Sequence, residues 1–145
     1  MSKLPGRKIS DFEKKTGRQG SEHFIKLPYN IAESPAYRTL SPSARSIMTA
    51  IQYRYNGYNN GQIGFACSSG EKWGICPNTT QKALTELYEH GFIIPFKKGM
   101  RLGRKASEWA LTFERLNNQP PTNDWKRFDE KQKIIPNLAP YNTKI

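Results

Sequence analysis

At 145 residues the chain can build one modest hydrophobic core and no more. Its 23 Lys and Arg against 12 Asp and Glu give a formal net charge of +11, the balance expected of a protein with a polyanionic partner, if the charge is clustered. Two cysteines, Cys67 and Cys76, form no Cys-x-x-Cys and lie far from His23 and His90. A disulfide framework and a zinc site are therefore excluded, no metal or cofactor is assigned, and a reducing compartment is expected. With no apolar run of membrane-spanning length, a cytoplasmic protein without a membrane partner is expected.

Residues 1–20 are read as a basic flexible arm. The first eighteen hold six cations, Lys3, Arg7, Lys8, Lys14, Lys15 and Arg18, against Asp11 and Glu13, and show no sustained periodicity. Residues 23–28 are expected to be extended, because Pro28 disfavours helix at Leu27. Ser34-Pro35 and Ser41-Pro42 are consecutive helix starts, each with a hydroxyl at N-cap and proline at the first helical position. The first predicts a helical turn through Leu40. The second predicts a full helix with Ala44, Ile47, Met48, Ile51 and Tyr55 on one face, ending at Asn56-Gly57. Residues 58–61 read as a turn, 62–65 as a short strand and 68–73 as a short helix. Gly74 is the tight turn into the next helix.

Residues 77–90 place Thr80, Ala83, Leu84, Leu87 and Gly91 on an apolar or small stripe at helical spacing. The opposite face carries Asn78, Gln81, Lys82 and Thr85, which is polar, short-limbed and nearly free of carboxylates. Such a face suits reading base edges. Gly91 closes the helix as a left-handed residue. Residues 92–96 and 108–113 then read as a hairpin, with an edge or bulge at Pro95. Its loop concentrates Lys97, Lys98, Arg101, Arg104 and Lys105 with no anion. Gly99 and Gly103 allow close approach to phosphates there, and Met100 and Leu102 are expected to cover the domain. The predicted fold is α+β, a winged helix-turn-helix of three main helices plus a short antiparallel β-hairpin wing. It spans residues 21–113, with residues 114–145 a polar, Pro-containing tail, partly docked or disordered.

The stretches Phe24-Ile-Lys-Leu-Pro, Leu40-Ser-Pro-Ser-Ala-Arg, Tyr55-Asn-Gly-Tyr-Asn-Asn-Gly-Gln-Ile and Trp73-Gly-Ile-Cys-Pro-Asn-Thr-Thr, running on to Gly91-Phe-Ile, resemble small winged-helix proteins of phages, plasmids and mobile elements. Their order is similar to that of the N-terminal DNA-binding domain of lambdoid-phage replication initiators, over roughly residues 23–113. The resemblance implies sequence-specific binding of double-stranded DNA in a bacterial cell or phage-infected host. Carried over, the recognition-helix residues are Asn78, Thr79, Gln81, Lys82 and Thr85. The wing residues are Lys97, Lys98, Arg101, Arg104 and Lys105, and the arm cations track phosphates or a minor groove. One departure is Cys76, where many such domains have Ser or Thr as the N-cap.

Transcriptional regulation is the leading expectation. The alternatives are a replication initiator or replisome-loading protein, with residues 114–145 recruiting a replication or host protein, and a protein-interaction module that inhibits a host DNA-handling complex. Full initiators usually carry a longer partner-binding region than residues 114–145. A homodimer is left open, since no heptad run exists. No phosphate-binding loop, catalytic triad or carboxylate pair is visible, so the chain is read as a non-enzyme. Glu33, Glu71, Glu86 and Glu89 are assigned to helix starts or exposed faces. Tyr53, Tyr55, Tyr58, Trp73, Phe92 and Trp109 are of the kind that stack on unpaired bases. They are assigned instead to core and turn packing, Trp73, Phe92 and Trp109 most firmly.

Overall fold

The computed structural model describes residues 23–99 and 106–129. The arm cations, the loop cations Arg101, Arg104 and Lys105, and residues 130–145 lie outside the described residues. Helix α1 (Tyr29–Ala32) is a single turn directly after Pro28, with no side-chain cap, and the sequence carried no start signal for it. Ser34 and Ser41 behave as their sequence context demands. Ser34 Oγ accepts the Tyr37 amide at 3.2 Å and opens α2 (Pro35–Arg38). Ser41 Oγ accepts the Ala44 amide at 3.2 Å and opens α3 (Pro42–Arg54). Each hydroxyl satisfies an amide that a helix start leaves without an intrahelical partner.

Downstream, β1 (Ile63–Gly64) leads into a 3-10 helix, η1 (Cys67–Trp73), which ends at Gly74 with φ +76°. Helix α4 (Pro77–Glu89) follows and buries Thr80, Ala83, Leu84 and Leu87, the stripe read from spacing. Gly70 is where η1 meets α4: a Cβ there would collide with the Thr80 side chain. At the far end of α4 the Gly91 amide donates to Tyr88 O and the Phe92 amide to Leu87 O, both at 3.0 Å. With Gly91 at φ +81°, this is the paired hydrogen bonding of a Schellman cap.

Strands β2 (Ile93–Lys97) and β3 (Glu108–Leu111) complete a three-stranded antiparallel sheet in the order β1-β3-β2. Pro95 lies on the edge strand, and the register shifts between Pro95 and Lys97, as a residue without an N–H requires. Alternation divides the sheet. Ile63, Ile93 and Leu111 join the main core with Ile47, Ile51, Phe65, Leu84, Leu87 and Phe92. Ile94 and Ala110 face the other way and are covered by Leu116 and Phe96. The fold is thus mixed α+β. The second strand was expected to run to Phe113 but stops at Leu111. There the chain turns, and Thr112 Oγ1 donates to Gly91 O at 2.6 Å.

Two long-range features have no local sequence signature. Glu86 reaches from α4 to the start of α3: its Oε1 accepts the Ser41 amide and its Oε2 the Ser41 hydroxyl, both at 2.7 Å. It is half-buried rather than on an exposed face, because α4 packs directly on α3. Trp125, in the short 3-10 helix η2 (Asp124–Arg127), is only 5% exposed and stacks on Phe92 with ring centroids 6.3 Å apart. Phe128 stacks on the His90 ring at 4.3 Å. The packed unit therefore runs past residue 113 to Phe128. A Cβ on Gly91 would come within 2.7 Å of the Asp124–Trp125 backbone, so the glycine that caps α4 also admits this segment.

Glu86→Ala should lower unfolding stability by about 1–2 kcal/mol, since it strands a half-buried amide and removes two charge-assisted bonds. A urea titration showing less than about 0.5 kcal/mol would contradict that role. Trp125→Ala should cost about 3–5 kcal/mol, and a near-neutral result would mean the segment does not belong to the core.

Candidate nucleic-acid interface

With α4's apolar stripe turned into the core, its opposite face is set outward. Asn78, Gln81, Lys82 and Thr85 are all exposed, and Thr79 is half-buried. The structure therefore brings the four outward residues together on one surface. Thr85 Oγ1 donates to the Gln81 carbonyl at 3.1 Å, which ties up its hydroxyl proton but leaves its oxygen able to accept. Glu86, the nearest carboxylate in sequence, points away to Ser41. The four outward residues themselves carry no negative charge, and Glu89, one turn beyond Thr85, is the carboxylate that continues their face.

The β2–β3 hairpin stands beside this helix. Between them lies a cleft of about 490 Å³, with Gln81, Thr85 and Tyr88 on the α4 side and Phe65, Pro95 and Trp109 opposite. Trp109 is fixed there by its Nε1–H, which donates to Phe65 O at 3.0 Å. Two of the outward residues, Gln81 and Thr85, thus stand on the cleft wall, while Asn78 and Lys82 lie outside it. At the base of the hairpin loop Lys97 and Lys98 are exposed, and the Gly99 amide donates to Ser107 Oγ at 3.0 Å. The remaining loop cations and the arm cations are outside the described residues.

Cys76 sits at the N-cap of α4 without the side-chain-to-amide bond that Ser34 and Ser41 make. Its Sγ lies 3.1 Å from Thr79 Oγ1. That hydroxyl favours the thiolate and holds the Cys76 thiol below the usual range. Cys76 is exposed and Cys67 half-buried. Among the described residues no group of three or more His, Cys, Asp or Glu is placed to hold a metal ion, and no helix is long and apolar enough to cross a membrane.

The aromatic assignments need one correction. Phe92 is buried, and Trp109 is half-buried and packed against the core, as expected. Trp73 is 38% exposed and packs edge-to-face on Tyr53, itself 71% exposed, while Tyr58 is 97% exposed. Trp73 is the last residue of η1, immediately before the left-handed Gly74. The chain reverses there, and the ring is left at the surface beside α3 instead of beneath α4. Nothing in the local spacing distinguishes that outcome from burial.

Replacing the weak thiol acceptor by a hydroxyl, Cys76→Ser, should raise stability by about 0.5–1 kcal/mol through a better cap; an unchanged or lower urea midpoint would contradict it. Compared with protein-family models, with curated proteins and with solved structures, the chain gives no match.

Proposed function

We propose that the chain is a winged helix-turn-helix protein that binds double-stranded DNA sequence-specifically and regulates transcription from a phage or mobile element. In this reading η1 and α4 are the helix-turn-helix pair, α4 enters the major groove, and the β2–β3 hairpin is the wing. The observation that carries it is the outward face of α4. Asn78, Gln81, Lys82 and Thr85 are exposed together, nearly free of carboxylates, beside a hairpin whose β2 ends in the exposed Lys97, followed by the exposed Lys98. The N-terminal residues of such a helix lie nearest the bases. Asn78 and Gln81 suit adenine, Lys82 suits guanine or a phosphate, and Thr79 and Thr85 offer hydroxyls.

The loop cations Lys97, Lys98, Arg101, Arg104 and Lys105, and the arm cations Lys3, Arg7, Lys8, Lys14, Lys15 and Arg18, hold the phosphate backbone and carry little sequence information. No catalytic role is proposed, and the protein acts in the cytoplasm of a bacterial cell or infected host. Regulation is preferred to replisome loading for a structural reason. Among the described tail residues Leu116 packs with Ile94 and Ala110, and Trp125 and Phe128 pack on Phe92 and His90, so these side chains are not free to anchor a replication partner.

The test is selection of binding sites from a random duplex pool at about 150 mM salt. A single enriched sequence is expected, palindromic if the chain binds as a dimer. On that sequence Asn78→Ala and Gln81→Ala should each cost about 1–3 kcal/mol, with little change on random duplex. Arg101→Ala and Arg104→Ala should weaken binding to every sequence and flatten its salt dependence. No enrichment, with binding to an acidic protein partner lost on charge reversal of the loop, would replace this reading with a protein-interaction module.

A further inference from the structure

We infer that the exposed rings of Tyr53 and Trp73, with Phe24 on the same cleft as Tyr53, form a stacking platform for unpaired bases of single-stranded nucleic acid. The platform is separate from the outward face of α4. Tyr53 and Trp73 lie edge-to-face with ring centroids 5.7 Å apart. Tyr53 is also on the wall of a cleft of about 780 Å³ between residues 23–26 and the end of α3, in which Phe24, Lys26, Tyr55 and Glu114 take part. Among the described residues, neither α4 nor strands β2 and β3 contribute to that wall.

Three observations favour a nucleic acid and, within that class, an unpaired strand. Phe24, Tyr53 and Trp73 are 72%, 71% and 38% exposed, and none is covered by the packing that buries Phe92 and Trp125. Rings left in water at this cost offer flat faces, and the faces of bases are available only where the bases are unstacked. Duplex DNA presents edges and phosphates, not faces. Second, cations accompany the rings: the Lys26 ammonium lies 5.4 Å from the centre of the Phe24 ring, and Lys72, next to Trp73, is exposed. With a chain carrying +11 overall, a polyanion is drawn to the surface before any ring engages it.

Third, the carboxylate on the cleft wall is restrained. Glu114 is half-buried, and burial pushes its pKa up, while Lys26 and the hydrogen bond with the Tyr55 hydroxyl act in the opposite direction. Lys26 lines the same cleft, so its described lining carries no net negative charge. The extended segment is held in place over α3 by Gln52 Nε2, which donates to Lys26 O at 2.9 Å, so Phe24 and Lys26 are carried to the same side as Tyr53.

The experiment is fluorescence anisotropy of the full chain with labelled oligo-dT of about 16 nucleotides, alongside a random duplex of the same length. Tyr53→Ala and Trp73→Ala should each weaken oligo-dT binding about tenfold and leave duplex affinity unchanged. Tyr53→Phe, which keeps the ring, should bind as the parent does. Intrinsic tryptophan emission should be quenched by oligo-dT in the parent and much less in Trp73→Ala. Unfolding midpoints of the variants confirm that the fold is intact. Absence of oligo-dT binding by the parent overturns the inference, as does an affinity unchanged in both alanine variants. Parallel loss of duplex and single-strand binding also overturns it, because the site would then not be separate. Self-association that disappears in Tyr53→Ala while oligo-dT binding persists assigns the rings to protein contact instead.

Discussion

The side chain of Glu86 sets how the two long helices meet. It stands on α4 and places one oxygen on the Ser41 amide and the other on the Ser41 hydroxyl, at the first turn of α3. An anion at that position satisfies a donor that the helix cannot satisfy itself and complements the positive end of its dipole. The apolar stripe of α4 limits rotation only loosely, because Leu and Ala tolerate some rolling. Two short, directional, charge-assisted bonds do not. Rotation of α4 about its own axis is thereby fixed, and with it the direction in which Asn78, Gln81, Lys82 and Thr85 point.

At its other end α4 is held by Gly91, where three demands coincide. The residue must adopt φ +81° to let the Phe92 amide return to Leu87 O. Its carbonyl accepts the Thr112 hydroxyl, which joins the helix end to the end of β3. It must also lack a side chain so that the Asp124–Trp125 backbone can pass. A comparable junction lies at Asn60, 8% exposed, whose Oδ1 accepts the Leu111 amide at 2.7 Å. Its Nδ2 reaches the carbonyls of Leu111, Glu114 and Arg115. A buried amide this fully paired locks a turn to a strand 51 residues away.

This framework separates two surfaces of different chemistry. The α4 face is polar, hydrogen-bonding and flanked by the cationic hairpin, which suits the edges and phosphates of a duplex. The α3 face around Tyr53 is aromatic and only lightly charged, which suits the faces of bases. Both surfaces rest on the same helix pair, so loosening the contact between α3 and α4 disturbs both.

Much of the local structure was legible in the chain. Ser34-Pro35 and Ser41-Pro42 name their helix starts, the spacing of Thr80, Ala83, Leu84 and Leu87 names the buried side of α4, and Pro95 names an edge strand with a bulge. Each of these is decided by a hydrogen bond or a steric constraint acting within a few residues, so sequence alone determined it. The outward grouping of Asn78, Gln81, Lys82 and Thr85 was legible for the same reason, as the complement of the stripe. Only the tertiary structure decided that Glu86 is a cap for a distant helix, that Trp125 belongs to the core, and that Trp73 and Tyr53 remain in water. A carboxylate or an indole has the same local pattern whether or not a remote partner arrives. Which of them finds one depends on how the helices and the returning chain pack.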